Sequence, residues 1–306
     1  MELRHLRYFV VTAEELHFTR AAERLGIKQP PLSQQIRQLE SEIGSPLFRR
    51  LSRRVELTES GRVLLEGARA VLDHVERVKA AAQRSARGET GRIVLGLAGS
   101  TDFQPLVPRI VRTYRERYPD LLILPEQTYS PQLLINLQRG LIDVAFIRLP
   151  LAKTRGIKID TLIEEPIVAV LPRSHALAGE ASVTLEQLAE EAFVLPPRAI
   201  APNIHEALIA SCERVGFRPR VREEASHLVS VATMVAAGFG ISVVPNSLRR
   251  INVDLVAYKP LRGEVPRSSI GIAHRSEGAS PAVRNFVALA RRIARHGGED
   301  SDRRIQ

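Results

Sequence analysis

The chain has 306 residues, of which 44% are hydrophobic and 25% charged, a composition that is ordinary for a globular protein of two or three domains. Its formal net charge of +10 favours a polyanionic partner, nucleic acid before an anionic membrane. The single cysteine, Cys212, excludes an intramolecular disulfide and a cysteine-based metal cage, and no apolar run approaches the roughly 20 residues that cross a bilayer.

The N-terminal segment predicts a helix over residues 3–14, whose apolar face carries Leu3, Leu6, Phe9, Val10 and Ala13. Charged side chains interrupt every apolar stretch here, so the segment does not resemble a signal peptide. We therefore expect a bacterial-type cytoplasmic protein with no membrane contact.

Residues 18–54 predict two short helices around a tight turn, followed by an arginine-rich loop. Gly26 can take the left-handed conformation that ends the first helix, and Pro30 and Pro31 suit the first turn of the second. The inner face of the second helix is predicted to carry Leu32, Ile36, Leu39 and Ile43. Its opposite face is predicted to carry Ser33, Gln34 and Arg37, which can bind base edges and phosphates in a major groove.

Two helices arranged in this way describe a helix-turn-helix, although a helical hairpin in an ordinary core has the same pattern. An arginine cluster favours DNA binding, because it follows the second helix directly and precedes the β-prone residues 55–58. Its members are Arg49, Arg50, Arg53 and Arg54. Such a cluster is typical of a wing that contacts phosphates.

The opening MELRHLRYFVVTAEELHFTRAAERLGIKQPPLSQQIRQLESEIGSPLFRR and the later RRVELTESGRVLL resemble the LysR-type transcriptional regulators. The ELHFTRAAERLGI and QPPLSQQI segments further resemble the subgroup that controls aromatic-compound catabolism, such as benzoate, catechol and chlorocatechol pathways. The resemblance continues more loosely to about residue 296. It implies an all-α winged helix-turn-helix, a long coiled-coil linker helix and a two-lobed α/β effector domain like the periplasmic binding proteins.

We place these domains at residues 1–58, 59–88 and 89–306. The first lobe is expected at about 91–160 plus 266–296, and the second at about 161–265. The predicted DNA-binding residues are Thr19, Gln29, Pro30, Pro31, Ser33, Gln34, Arg37, Arg50, Arg53 and Arg54.

The linker helix is predicted to begin after Thr58, a good N-cap, and to run about 30 residues. A narrow apolar seam at alternating steps of four and three comprises Leu64, Ala68, Val71, Val75, Val78 and Ala82. That pattern is typical of a coiled coil, although a helix packed on its own domain remains an alternative. We expect a homodimer, further paired into a tetramer, whose two recognition helices bind a pseudo-palindromic site.

Beyond the turn-forming residues 86–91, short β-prone runs alternate with helices and predict a parallel sheet. In the first unit, strands are expected at 92–98, 121–127 and 142–147, and helices at 106–118 and 131–139. In the second, strands are expected at 166–172, 192–197, 219–225 and 240–245, and helices at 203–215 and 227–237. A final strand at 268–275 and helix at 281–295 return to the first lobe by resemblance.

Ser100 with Thr101, Ser130 and Arg148 all follow strands of the first predicted sheet, where small ligands bind in α/β folds. Each serine could instead be a satisfied helix cap, and Arg148 could form an inter-lobe salt bridge instead of pairing with a ligand carboxylate.

By resemblance to the subgroup, Pro202, Asn203 and Ile204 complete the lining with Ser100 and Ser130, and His227 begins another helix nearby. The subgroup's inducer is often a muconate-like dicarboxylate. The expected effector is a small organic acid, a carboxylate derived from an aromatic pathway. Gly99 stands where the subgroup often has a hydroxyl residue, and the 99–105 loop is one residue longer, so the resemblance leaves the identity of the inducer open.

Catalytic, metal and cofactor chemistry is not expected. The eight histidines are scattered, and no nucleotide-binding loop, nucleophile elbow or carboxylate pair is present. Two rival interpretations are a solute-binding protein and an enzyme with a DNA-binding domain. We predict instead a transcriptional regulator whose partners are double-stranded promoter DNA, a small-molecule inducer and RNA polymerase.

Overall fold

The computed structural model describes residues 1–51, 54–152, 154–251 and 253–302. The chain divides into two compact units, Met1–Arg84 and Ser85–Gln306. Within the described ranges no helix is long and apolar enough to cross a bilayer. In the same ranges no group of three or more histidine, cysteine, aspartate or glutamate side chains is arranged to hold a metal ion.

The first unit is a helical cluster with a β-hairpin and a long final helix. Its elements are α1 (Leu3–Glu15), α2 (Phe18–Arg24), α3 (Gln29–Ile43), β1 (Phe48–Leu51), β2 (Arg54–Leu57) and α4 (Glu59–Ala86). The tight turn between α2 and α3 contains Gly26 at φ +67°, a conformation that glycine adopts without strain.

The core of this unit contains the predicted inner face of α3. Leu32, Ile36 and Leu39 are fully buried in one cluster with Phe9 and Phe48, whose rings lie 5.4 Å apart. Two residues predicted to face inward are exposed, because Leu3 is the first residue of α1 and Ile43 the last of α3, beyond the reach of this core. The two-helix arrangement predicted from the sequence is confirmed.

Helix α4 has 28 residues and begins at the predicted N-cap. The Thr58 hydroxyl accepts a hydrogen bond from the Gly61 amide (2.9 Å) and donates one to the Pro46 carbonyl (2.7 Å). Leu64 and Ala68 pack against the core of their own unit, as the alternative interpretation held. Farther along the seam, Val71 and Val78 are 43% and 56% exposed. An apolar seam therefore remains on this helix with no covering in the monomer.

The second unit is a two-lobed α/β domain. Its strands are β3 (Gly91–Ala98), β4 (Leu121–Thr128), β5 (Val144–Leu149), β6 (Ile157–Pro172), β7 (Val183–Thr184), β8 (Ala192–Leu195), β9 (Arg220–Glu224), β10 (Ser242–Pro245), β11 (Val256–Arg262) and β12 (Arg267–Arg275). Its helices are α5 (Leu106–Arg117), α6 (Ser130–Gln138), α7 (Pro202–Arg214), α8 (Val231–Ala236) and α9 (Pro281–Asp302). Short 3₁₀ helices include Leu228–Ser230 and Asn246–Arg250.

The main sheet has the strand order β4-β3-β5-β12-β6-β11-β7, with β10 also paired to β6. Strand β3 is parallel to β4 and β5, as predicted, but β12 is antiparallel to both β5 and β6. The parallel arrangement predicted for the first three strands is therefore confirmed, and the sheet as a whole is mixed because β12 and β6 join it antiparallel. Two long strands run antiparallel between the halves of the domain instead of returning through helical crossovers.

Strand β6 connects the two lobes. Its first half pairs with β12, and its second half, from Ile167, pairs with β10 and β11. The first lobe comprises β3–β5, the adjoining parts of β6 and β12, and helices α5, α6 and α9. The second comprises β7–β11, the end of β6, and helices α7 and α8, and it has its own hydrophobic core. The cleft between the lobes lies beside these crossing strands.

Candidate functional sites

The best-connected polar side chain in the structure's second unit is Arg148, at the end of β5. Its Nε donates to the Ser100 hydroxyl (2.6 Å), Nη1 to Glu165 (2.8 Å) and to Ser268 (3.1 Å), and Nη2 to the Ser100 carbonyl (2.9 Å) and the Ser247 hydroxyl (3.3 Å). These five bonds use all five N–H donors of a guanidinium. The salt-bridge alternative for Arg148 is therefore the one that the structure shows.

Burial and charge act on Arg148 in opposite directions. Its side chain is 3% exposed, and burial lowers its pKa from the ordinary arginine value, while the adjacent Glu165 carboxylate partly offsets that shift. Glu165 in turn accepts bonds from the amide (2.7 Å) and hydroxyl (3.1 Å) of Ser247. The ion pair is fully hydrogen-bonded, as a buried pair must be to persist.

Two serine hydroxyls are oriented by this arginine. Ser100 Oγ accepts a bond from the Arg148 side chain, and Ser130 Oγ accepts one from the Arg148 amide (3.0 Å). A hydroxyl has one hydrogen to donate besides its acceptor lone pairs. Because both oxygens already accept from Arg148, each hydroxyl can direct its own hydrogen toward a ligand.

Both serines line a cavity of about 440 Å³ between the lobes. Its first-lobe wall includes Ser100, Ser130 and Arg148, and its second-lobe wall includes Asn203 and His227. The remaining lining residues are Ala98, Gly99, Gln127, Thr128, Tyr129, Ile200, Ala201, Leu228 and Val229. The volume falls within the range of small-molecule sites, and the sequence predicted five of its residues.

Three predicted effector residues do not line this cavity. Thr101 is fully buried, and its hydroxyl donates to the Ala98 carbonyl (2.8 Å). Ile204 lies in the core of the second lobe, and Pro202 lines a neighbouring, mainly apolar cavity of about 540 Å³. Successive residues of a helix point about 100° apart, so of the first three residues of α7 only Asn203 lines the cavity that contains the two serines.

Helix α3 presents part of its predicted DNA-binding face. Gln34 and Arg37 are exposed, as are Pro30, Pro31 and, on α2, Thr19, while Gln29 is half-buried. Ser33 is only 5% exposed, and its hydroxyl accepts a bond from the side-chain Nε2 of Gln29 (2.7 Å). The prediction that Ser33 faces outward is wrong, because it lies 60° round the helix from the fully buried Ile36.

The predicted wing is an antiparallel hairpin of β1 and β2, in which Arg50 is paired with Val55. Arg54 opens β2, whereas Arg53 lies outside the described residues. The hairpin is tied to α3 by Glu40, whose carboxylate accepts bonds from the amides of Leu47 (2.8 Å) and Phe48 (3.1 Å). This contact fixes where the hairpin begins relative to α3.

Comparisons with known proteins agree with both halves of this structure. Residues 3–62 match the family model described as "Bacterial regulatory helix-turn-helix protein, lysR family", and residues 86–295 match "LysR substrate binding domain". The protein belongs to the LysR family of transcriptional regulators.

Individual relatives of this LysR-type regulator cover nearly its whole length. The chain is 38% identical over 291 residues to the HTH-type transcriptional regulator AlsR of Bacillus subtilis, covering 95% of each chain. It is also 38% identical over 289 residues to the HTH-type transcriptional regulator CatR of Pseudomonas putida, covering 94% of this chain and 98% of the relative.

Among solved structures, the LysR-family regulator CbnR superposes with a TM-score of 0.83 at 27% identity, covering 95% of this chain and 100% of that one. A structure of full-length CbnR complexed with its target DNA superposes with a TM-score of 0.80 at 26% identity, covering 96% and 100%. This LysR-type protein is therefore a DNA-binding transcriptional regulator with an effector-binding domain, and neither an enzyme nor a solute-binding protein.

Several residues that build the regulator's cleft were not found from the sequence. Glu165, Ser247 and Ser268 join the Arg148 network from β6, a 3₁₀ helix and β12, which are 17, 99 and 120 residues away along the chain. Gln127 is the penultimate residue of β4, and its side-chain nitrogen donates to the Asp102 carboxylate (3.1 Å). Only Gln127 carried a usable signal, because it too is a polar residue at a strand end.

Proposed function

We propose that this regulator is a homodimer that binds promoter DNA through α3 and the β1–β2 hairpin and is switched by a small organic carboxylate between its lobes. Residues 1–58 are the DNA-binding domain, 59–88 the dimerisation helix and 89–306 the effector domain in this proposal. The observation that carries the effector part is the pair of Ser100 and Ser130 hydroxyls, both oriented by Arg148 on one wall of the cavity.

A carboxylate fits this arrangement because ionised oxygens are the strongest hydrogen-bond acceptors that a small metabolite carries. The motifs shared with the aromatic-catabolism subgroup make a carboxylate from aromatic-compound breakdown our first choice of source. CatR and AlsR are each 38% identical to the chain, so sequence identity does not favour the inducer of one relative over the inducer of the other.

The switch must act by preferring one arrangement of the lobes, since a ligand shifts an equilibrium only by its differential affinity. In this proposal an acid that contacts both walls of the cavity favours the arrangement in which the lobes are closed around it. In the proposed mechanism, closure changes the angle between DNA-binding domains in a dimer or tetramer and alters the DNA bend and RNA polymerase recruitment. The protein acts where this DNA is, in the cytoplasm.

The DNA-binding proposal assigns base contacts to Gln34 and Arg37, the exposed polar residues of α3. Fluorescence-anisotropy titration of the full chain with its own upstream intergenic DNA should show salt-sensitive binding that exceeds binding to a scrambled duplex. Arg37→Ala should reduce that preference by about 1–3 kcal/mol, the typical worth of a good base contact.

The matched control is Arg112→Ala, which removes an exposed arginine from α5 of the effector domain and should leave the preference unchanged. Equal affinity of the wild-type protein for cognate and scrambled DNA would refute the proposal. If Arg37→Ala and Arg112→Ala reduced the preference for cognate DNA equally, the assignment of base contacts to α3 would be wrong.

A further inference from the structure

A glutamine and an aspartate lie together at the first-lobe wall of the effector cavity. Gln127, near the end of β4, lines the cavity, and its side-chain Nε2 donates to Oδ2 of Asp102 (3.1 Å). Asp102 is half-buried in the turn after β3. Burial lowers the pKa of Arg148, and the charge of Asp102 opposes that shift together with the charge of Glu165. The pair therefore lies beside the arginine that orients the two serines.

Asp102 determines which end of the Gln127 amide faces it. An ionised carboxylate only accepts hydrogen bonds, so the NH₂ group of the glutamine must be the group turned toward Asp102. The carbonyl oxygen Oε1 is consequently held away from Asp102, and within the described residues no group donates to it. Gln127 therefore brings to the cavity wall one acceptor, whose position is set by Asp102.

Asp102 adds a second unpaired acceptor behind the first. Its Oδ1 is buried from solvent, and no donor in the described part of the chain bonds to it. A hydrogen-bond donor of a ligand would be attracted by these oxygens, whereas an acceptor would be repelled. The serine end of the wall has the opposite character, because the hydroxyls of Ser100 and Ser130 can each direct a hydrogen toward a ligand. The first-lobe wall is thus divided into a donor part and an acceptor part.

The cavity has room for a ligand substituent beside the acceptor part. Gly99 lines the cavity, and its amide donates to the carbonyl of Thr128, the residue after Gln127 (3.2 Å). A Cβ built on Gly99 would meet no atom within 4 Å, so a small group can occupy this space without displacing a side chain. When the lobes close around a ligand, Oε1 of Gln127 loses contact with water and needs a donor in its place.

We propose that the effector is a hydroxy acid, whose carboxylate is bound by Ser100 and Ser130 and whose hydroxyl donates to Oε1 of Gln127. Gln127 is then a specificity-determining residue, and Asp102 is the positioning residue that acts through it. A hydroxyl suits a single acceptor because it has a single hydrogen, whereas an ammonium group brings three. This inference rests on the proposed carboxylate effector and narrows its class.

Matched sets of acids test the requirement for a hydroxyl. Isothermal titration of the full-length protein would compare benzoate with the three hydroxybenzoate isomers and the corresponding methoxybenzoates, and propionate with lactate and alanine. At least one hydroxy acid should bind roughly five- to tenfold more tightly than its parent acid, and a hydroxybenzoate should exceed its methoxy counterpart by a similar factor.

The outcomes separate this inference from the proposed function. Acids that bind without preference for a hydroxyl overturn the hydroxy-acid class and leave the carboxylate effector intact. Tighter binding of alanine than of lactate also overturns that class, because the donor would then be an ammonium group. No binding by any acid of either set overturns the carboxylate effector itself.

Two substitutions distinguish specificity from folding. Gln127→Met keeps the length of the side chain but removes the acceptor, so the ratio of hydroxy-acid to parent-acid affinity should fall to about one while the parent acid binds as before. In Asp102→Asn the new amide can donate to Gln127 or accept from it, so the glutamine can turn over and the ratio of hydroxybenzoate to methoxybenzoate affinity should fall.

The matched control is Gln187→Met, at an exposed glutamine of the second lobe that does not line this cavity, and it should change neither ratio. Unchanged ratios in Gln127→Met and Asp102→Asn would overturn the assignment of the hydroxyl to Gln127. An equal loss of affinity for every acid would also overturn it, because the pair would then have only a structural role.

Discussion

The Arg148 guanidinium lies 2.8 Å from the Glu165 carboxylate, and the two side chains are only 3% and 5% exposed. Glu165 is on the strand that connects the lobes, and Ser247, which donates to it twice, belongs to the second lobe. The same arginine orients the two serines of the effector cavity. The positions of these serines are therefore linked by direct contacts to the segment where the lobes meet.

Glu165→Gln should destabilise the effector domain strongly, because it removes the carboxylate that pairs directly with the buried Arg148 and turns an amide toward the Ser247 donors. Breaking a buried pair typically costs about 3–5 kcal/mol. Differential scanning calorimetry of the full chain would detect the loss as a lower Tm of the effector-domain transition. Glu116→Gln, which weakens the exposed ion pair with Arg112, is the control and should leave Tm nearly unchanged. Equal shifts in the two variants would contradict a stabilising role for the buried pair.

The elements that the sequence predicted best are those whose pattern is local. Helices α1 to α3 have regular apolar spacing and recognisable ends, and the turn at Gly26 requires a residue that tolerates positive φ. The first half of β6 was missed because the apolar–charged alternation that is typical of a half-exposed strand covers only residues 157–160 and is lost at Thr161, Leu162 and Ile163. Strand β11 was missed because Lys259 and Pro260 interrupt its apolar residues.

The sequence predicted those residues of the effector cavity that come directly after a predicted strand. Ser100, Ser130 and Arg148 were found in this way, since the ends of β3 and β5 and the start of α6 meet at one edge. The partners of Arg148 could not be found, because antiparallel pairing of β6 with β12 brings Glu165 opposite Ser268 and no local pattern encodes that register. The burial of Ser33 was likewise missed, because a small polar residue suits either an inner edge or an outer face.

Two glycines of α4 should respond to alanine in opposite directions. A Cβ at Gly61 would lie 2.2 Å from the Leu47 carbonyl oxygen, whereas a Cβ at Gly67 would meet no atom within 4 Å. Gly61→Ala should destabilise the DNA-binding unit by about 1–3 kcal/mol through overpacking. Gly67→Ala should stabilise it by up to ~1 kcal/mol through helix propensity. Thermal unfolding followed by circular dichroism would measure both, and a shift of the same sign would contradict the close approach at Gly61.

The exposed seam of α4 should be required for dimerisation. Val78 lies on the seam and is 56% exposed in the monomer, so Val78→Asp places a charge where a partner helix is expected to pack. Ala80→Asp introduces the same charge two residues away, on the outer side of the helix, and is the matched control. Sedimentation equilibrium should show Val78→Asp dissociating at concentrations where the wild type and Ala80→Asp remain associated. An unchanged mass for Val78→Asp would place the dimer contact elsewhere.

The buried Cys212 thiol should make stability depend on pH in the alkaline range. Burial, with a smaller contribution from Glu213, raises the pKa of this thiol to about 12, whereas an unfolded cysteine titrates near ~8.5. Above that lower value the unfolded chain releases the thiol proton while the folded chain keeps it, so the free energy of unfolding falls as pH rises. The contribution of the protonated thiol to stability is complete below the unfolded pKa, and its loss continues until the folded thiol also ionises.

Urea unfolding at a series of pH values should show a steeper alkaline decline for the wild type than for Cys212→Ala, by up to ~1.4 kcal/mol per pH unit. Subtracting the two curves removes the parallel effect of Tyr258, whose pKa burial also raises. Curves of equal slope would mean that the thiol is accessible to water in the folded protein.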